Sequence, residues 1–201
     1  MSHYYINDDK LESKPRLISF TMDGKTISLM SDNGVFSKNE LDQGTEILIR
    51  SLLPLDLYGD ILDLGCGIGT IGLTLAYLLP HVNLICVDVN TRALALAQEN
   101  AKRLQISNRV RCLQSDVYSG VEGQFNYIVS NPPIRAGKKV TYAMYEGALE
   151  HLIDGGSLII VIRKAQGALS AKAYLESIFS NVRILEKKKG FYVIQAIKWT
   201  K

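Results

Sequence analysis

Apolar and polar positions change period several times along the chain, and each change marks an element. Residues 16–22 and 25–30 are β-rich runs separated by Asp23-Gly24. Both residues of that pair tolerate positive φ, so the pattern predicts a β-hairpin. Ser37-Lys38-Asn39-Glu40 has the form of a capping box, and Leu41, Thr45, Leu48, Ile49 and Leu52 follow at helical spacing until Pro54. From Asp60 onward strands and helices alternate. Residues 61–64, 83–89, 110–114, 125–130 and 157–162 read as strands, and 70–79, 91–104, 140–152 and 169–179 as helices. The last two strands, 182–187 and 191–199, flank Lys189-Gly190 and lie too close for a helical crossover, so they pair antiparallel.

This alternation predicts an α/β fold: a Rossmann-like, mostly parallel seven-stranded sheet with an antiparallel last strand and helices on both faces. Residues 1–57, a hairpin and a helix, read as an N-terminal extension packed on a catalytic domain over residues 58–201.

At 201 residues with 47% apolar and 21% charged positions, the composition is that of an ordinary globular domain, neither disordered nor fibrous. Net charge is +3 overall, but residues 1–130 carry 11 basic against 15 acidic groups and residues 131–201 carry 12 against 5. A basic part in a near-neutral chain hints at a polyanionic partner, though chance imbalance of solvated Lys gives the same count. Cys66, Cys86 and Cys112 lack Cys-x-x-Cys spacing and sit in or beside apolar runs, as buried reduced thiols do. The polar start, residues 1–14, reads as a frayed terminus without a signal-peptide core, and the longest apolar runs are far short of a membrane span. These features predict a soluble, cytoplasmic protein. His3, His81 and His151 are scattered, so no metal site is expected. His151 ends a helix, and Trp199 is expected to pack the last strand.

Asp63-Leu64-Gly65-Cys66-Gly67-Ile68-Gly69-Thr70-Ile71-Gly72 follows a strand and opens a helix. Glycines there let the backbone turn sharply and approach a ligand closely. Asp88 ends the next strand, where an acid can bond a ribose diol. A tight turn without a ligand is the plain alternative. A dinucleotide loop places pyrophosphate on the helix N-terminus; an acid such as Asp63 beside the loop favours a cationic ligand instead. S-adenosylmethionine carries an ammonium and a sulfonium and no phosphate. Asp116 follows the third strand and can accept from an adenine amino group, or it is an exposed loop acid.

Strand 125–130 runs into Asn131-Pro132-Pro133. Two prolines stiffen the turn, and Asn131 together with the Pro132 carbonyl can accept both hydrogens of an exocyclic –NH2. That favours a pyramidal nitrogen whose lone pair points at a methyl donor, unless the turn is merely structural.

These residues resemble class I S-adenosylmethionine-dependent methyltransferases, and more narrowly the methyltransferase small-domain group, which includes ribosomal small-subunit RNA guanine-N2 methyltransferases. Three stretches carry the resemblance: Gly34–Ser37 with Leu41–Thr45, Asp63–Gly72, and Asn131–Lys138. It implies that Asp63, Gly65, Gly67 and Gly69 hold the cofactor's methionine end, Asp88 the ribose and Asp116 the adenine. Phe36 and Ser37 would lie beside the pocket, and Asn131, Pro132 and Pro133 would hold the target amine. Many relatives carry an aromatic residue after Asn-Pro-Pro, where this chain has Ile134, which packs apolarly against a base. Arg135, Lys138 and Lys139 follow as phosphate contacts for RNA, with Arg163, Lys164 and Lys187–Lys189 at other strand ends. For the last triplet a solvated turn is the simpler reading.

The expected activity is methylation of guanine N2 in ribosomal small-subunit RNA by a monomer or homodimer. The alternatives are protein glutamine-N5 or DNA adenine-N6 methylation, or a non-catalytic RNA-binding factor on the same fold.

Overall fold

The computed structural model describes residues 12–36 and 39–199. Ser37 and Lys38 lie outside the described residues, and with them the serine of the expected capping box. Strands β1 (Arg16–Met22) and β2 (Lys25–Ser31) form the predicted hairpin, and Asp23 and Gly24 both adopt positive φ. The chain before it is tied down rather than frayed at Ser13, whose hydroxyl donates to Asp32 at 2.7 Å.

Helix α1 runs over Gln43–Leu52, so it starts later than the Ser37–Glu40 pattern predicts. Asp42 takes the capping role: its carboxylate accepts from the Thr45 amide at 2.9 Å. Asp and Ser cap helices about equally well, so the pattern at Ser37 does not by itself fix where the helix starts.

The main sheet holds β3 (Gly59–Leu64), β4 (Val82–Asp88), β5 (Val110–Gln114), β6 (Phe125–Ser130), β7 (Leu152–Arg163), β8 (Asn181–Lys188) and β9 (Phe191–Ile197). The order is β5-β4-β3-β6-β7-β9-β8. Only β9 runs antiparallel to its neighbours, β7 and β8. Helices α2 (Thr70–Leu78), α3 (Thr91–Arg103), α4 (Lys138–His151) and α5 (Ala168–Ile178) make the crossovers. Strand β7 is longer than predicted. It begins at Leu152 rather than at residue 157, and Gly155 and Gly156 exchange backbone hydrogen bonds with Lys198 at 2.8 and 2.9 Å. Trp199, beyond β9, is 54% exposed and does not pack the last strand into the core.

Two apolar clusters sandwich the sheet. One gathers Ile18, Ile27 and Leu29 of the hairpin and Leu48 of α1 with Leu75, Leu84 and Val193. The other packs Met144, Tyr145, Ala148 and Leu175 of α4 and α5 on Leu62, Ile128 and Ile160. The N-terminal elements therefore share a core with the sheet. Asn100 of α3 links them by polar contacts as well. It is fully buried, accepts from the Met30 amide at 2.6 Å, and donates to the carbonyls of Met30 at 3.0 Å and Ile68 at 3.1 Å. No helix among the described residues is long and apolar enough to cross a membrane.

Strand order reverses between β3 and β6, so the carboxyl ends of these strands diverge and leave a crevice. Ser130, at the end of β6, donates its hydroxyl to the Leu64 carbonyl at 2.7 Å. That bond pins the glycine loop beside the Asn-Pro-Pro turn.

Candidate active site

The crevice opens into a cavity of about 350 Å³. Its walls include Phe36, Asp42, Thr45, Gly65, Gly67, Asp88, Asp116, Asn131, Pro132 and Pro133. Three carboxylates, those of Asp42, Asp88 and Asp116, reach this wall, and among the described residues no Lys, Arg or His does. Such a surface attracts a cation and repels phosphate.

The glycine loop is spent on its own geometry. Gly65, Gly67 and Gly69 all have φ between 56° and 84°. At Gly67 a Cβ would meet nothing within 4 Å, so absence of a side chain leaves room for a ligand against the backbone. At Gly69 a Cβ would meet Leu73 at 2.5 Å, so that glycine serves packing as well. The amides of Gly65 and Cys66 both donate to the Val87 carbonyl at 2.9 Å, and Gly69 donates to the Cys66 carbonyl at 2.9 Å. The Gly67 amide donates to Asp88 at 2.7 Å. A pyrophosphate needs these N–H groups free, and they are taken.

Asp63 does not line the cavity. It is fully buried under the loop, and its Oδ2 accepts from the Gly72 amide at 2.8 Å, in the first turn of α2. The position a phosphate would occupy at this helix N-terminus already holds a carboxylate. Its other oxygen, Oδ1, is buried without a partner. Burial pushes the Asp63 carboxyl up to about 7, against the Gly72 hydrogen bond, and the Asp88 charge adds to the rise. The folded value lies above the ~3.9 of an unfolded Asp, so the native state holds the proton more tightly. This contribution to stability is complete below about pH 4 and is lost as pH rises through about 7. The ligand-free protein is expected to lose Tm between about pH 5 and 8 more steeply than Asp63→Asn, which keeps an acceptor for Gly72. Parallel Tm profiles by calorimetry would exclude Asp63 as the cause.

Asp88 sits half-buried at the end of β4. Burial raises its pKa, opposed by backbone hydrogen bonds from Asn90, Gly67 and Val89. Asp116 is exposed at the cavity rim, on a loop where the Ser119 hydroxyl lies 3.1 Å from its amide. Cys66 also lines the cavity, but burial pushes its thiol up to about 12, so it is no nucleophile.

The Asn131-Pro132-Pro133 turn forms the far wall. Pro133 has φ −75° and ψ 77°, and the Ile134 amide donates to the Pro132 carbonyl at 2.9 Å: an inverse γ-turn. That carbonyl keeps a second lone pair. The side chain of Asn131 is fixed from the N-terminal side of the chain. Its Nδ2 donates to Asp42 Oδ2 and to Thr45 Oγ1, each at 3.1 Å. Sequence reasoning assigned neither partner to the site: Thr45 reads only as a helical position, and both are visible only as part of the Leu41–Thr45 stretch.

Of the other anticipated residues, Phe36 lines the cavity and Ser37 lies outside the described residues. Ile134 is half-buried, packs on the apolar cluster of α4 and α5, and is not part of the cavity wall. Arg135, Lys138 and Lys139 are exposed just beyond the turn. Arg163 and Lys164 lie at the carboxyl end of β7, beside that of β6. The Lys164 amide donates to the Gly190 carbonyl at 2.8 Å, which brings the Lys187–Lys189 turn to the same edge.

Sheet order, an acid-walled cavity at the switch point and a glycine loop whose amides are largely taken up within the fold match one class, the S-adenosylmethionine-dependent methyltransferases, and the family match shows it. The chain belongs to the methyltransferase small domain family, whose model matches residues 26–195. It is 46% identical to the uncharacterized protein YbxB of Bacillus subtilis (strain 168), over 98% of both chains. It is 38% identical to ribosomal RNA small subunit methyltransferase C of Mannheimia succiniciproducens, over 82% of this chain and 49% of that protein. Among solved structures, a 16S rRNA N2 methyltransferase of Thermus thermophilus, in complex with AdoMet and guanosine, superposes with a TM-score of 0.83 at 25% identity. The match covers 94% of this chain and 52% of that one. The chain thus spans about half the length of the ribosomal RNA methyltransferases it matches. S-adenosylmethionine fits the residues present: Asp42, Asp88 and Asp116 line the cavity as acids for its cationic end and hydroxyls.

Proposed function

We propose that this chain methylates the exocyclic N2 of a guanine in ribosomal small-subunit RNA. The observation that carries the reading is the state of Asn131. Its –NH2 end is committed to Asp42 and Thr45, which leaves Oδ1 as the acceptor beside the cavity. With the Pro132 carbonyl, it supplies two acceptors for one amine. They draw on both hydrogens, pull the lone pair out of conjugation and aim it. Asp88 accepts from the ribose hydroxyls and Asp116 from the adenine amino group, while Phe36, Gly65 and Gly67 shape the wall. Bound S-adenosylmethionine would supply an electrophilic methyl on a sulfonium, the N–CH3 bond forming as the S–CH3 bond breaks, with S-adenosylhomocysteine as the neutral leaving group and the surplus N–H proton released to solvent; the residues supply position and polarity rather than a strong base.

Support for RNA comes from the placement of charge. Arg135, Lys138, Lys139, Arg163, Lys164 and Lys187–Lys189 lie at the end of the sheet that bears Asn131, where β6 and β7 finish, so a phosphate backbone laid along it brings a base to the cavity. The names of the matched ribosomal RNA methyltransferases support the same substrate.

The test is to incubate the protein with labelled S-adenosylmethionine and, in parallel, with small-subunit RNA, assembled subunits, DNA and release factor. Label is expected in RNA, recovered after digestion as N2-methylguanosine. Label confined to DNA or to release factor would overturn the proposal.

A further inference from the structure

We infer that Asp42, from the N-terminal elements, is a positioning residue for Asn131 and tunes its acceptor strength. The inference rests on the proposed role of Asn131 Oδ1 as the acceptor of the target amine, and goes beyond it by assigning what sets that oxygen's place and polarity.

A side-chain amide presents nearly isosteric ends, and only its partners decide which faces the ligand. Asp42 settles the matter, because an ionised carboxylate accepts and never donates. With Asp42 Oδ2 and Thr45 Oγ1 each 3.1 Å from Asn131 Nδ2, both amide hydrogens are claimed and Oδ1 must point the other way. The carboxylate is itself held. Its Oδ2 also caps α1 through the Thr45 amide at 2.9 Å. The first turn of α1 is seated on β9, where Gly44 admits the Phe191 ring: a Cβ on Gly44 would meet Phe191 at 2.8 Å. The Arg163 guanidinium lies over the same ring, 5.1 Å from the Phe191 ring centre.

A negative charge against the –NH2 end polarises the amide and loads electron density onto Oδ1. As the nitrogen of the target gains a methyl group it becomes positive, and its N–H groups become stronger donors. The bond to Oδ1 therefore tightens in the transition state more than in the ground state, which is the condition for raising kcat rather than lowering KM.

Asp42→Asn and Asp42→Ser test this. Asn and Ser cap helices about as well as Asp, so Tm is expected to hold. Each lacks the charge. We expect kcat at saturating cofactor to fall about 10- to 100-fold, the scale of one charge-assisted hydrogen bond, with KM for RNA within about twofold; because Asp42 also lines the cavity, cofactor affinity is read separately by calorimetry. The second readout needs no acceptor substrate. The Asn131 side-chain NH2 resonances, assigned by their loss in Asn131→Ala, are expected downfield in the wild type and shifted upfield in both Asp42 variants. Unchanged Asn131 resonances would overturn the inference, whatever amine the protein methylates. So would shifted resonances with kcat unchanged.

Discussion

Asn131→Ala is expected to lower kcat by about 10²- to 10³-fold, the usual loss when one preorganised hydrogen-bonding group aimed at a reacting centre is removed. Affinity for S-adenosylmethionine, read by calorimetry, is expected to stay within a few-fold. The separation follows from the architecture. Apart from Phe36, the walls assigned to the cofactor come from the loop after β3 and the ends of β4 and β5, whereas Asn131 follows β6. The turn keeps its shape without the side chain, because Pro132, Pro133 and the bond from Ile134 to the Pro132 carbonyl are backbone features. Asn131→Asp is expected to be at least as damaging despite its identical size, since it sets a second carboxylate against Asp42 where a 3.1 Å hydrogen bond now lies. Wild-type turnover in Asn131→Ala would remove the residue from the chemistry.

Asn100→Ala is expected to give the largest loss of stability, about 3 kcal/mol. The side chain is fully buried and serves three backbone groups: the Met30 amide and carbonyl and the Ile68 carbonyl. A buried group left without a partner costs about 1–3 kcal/mol, and the three costs do not simply add because the region relaxes. For a domain of this size the loss corresponds to a Tm lowered by roughly 6–12 °C. Ile68 belongs to the glycine loop, so cofactor affinity is expected to weaken as well. Asn83→Ala provides the contrast. Its bond to Asp60, at 3.0 Å, lies on the surface, and its loss is expected to cost less than about 0.5 kcal/mol. Similar denaturation midpoints for the two variants would show that Asn100 does not bind the hairpin to the sheet.

The alternating elements were legible because their signals are local. Asp23-Gly24 and Lys189-Gly190 announced hairpins, and all four residues adopt positive φ. The period change at Asp60 announced the parallel sheet, and the Asp63–Gly72 and Asn131–Pro133 stretches fell on the two strand ends that flank the switch point. Asp63 shows where local reading stops. An acid beside a glycine loop can face a ligand or a helix terminus, and which one depends on how α2 packs over β3. In the folded chain it faces the Gly72 amide. The start of α1 failed for a related reason. Ser37–Glu40 has the spacing of a cap, but the helix begins where Asp42 bonds both Thr45 and Asn131, a partner 89 positions away. Ile134 sits next to the turn in sequence, yet the tight bend at Pro133 turns it toward α4 and away from the cavity.

The two acceptors at the Asn-Pro-Pro turn also decide the condition in which a guanine can react. In a duplex, one N2 hydrogen belongs to the opposing cytosine. A site that draws on both hydrogens competes with that pairing and cannot share it. On the proposed reaction the nucleotide must therefore arrive single-stranded or be swung out of its stack, at a cost of a few kcal/mol that is smallest where the RNA is already loose. Local melting of the substrate, more than the letters flanking it, then sets which guanines this turn can reach.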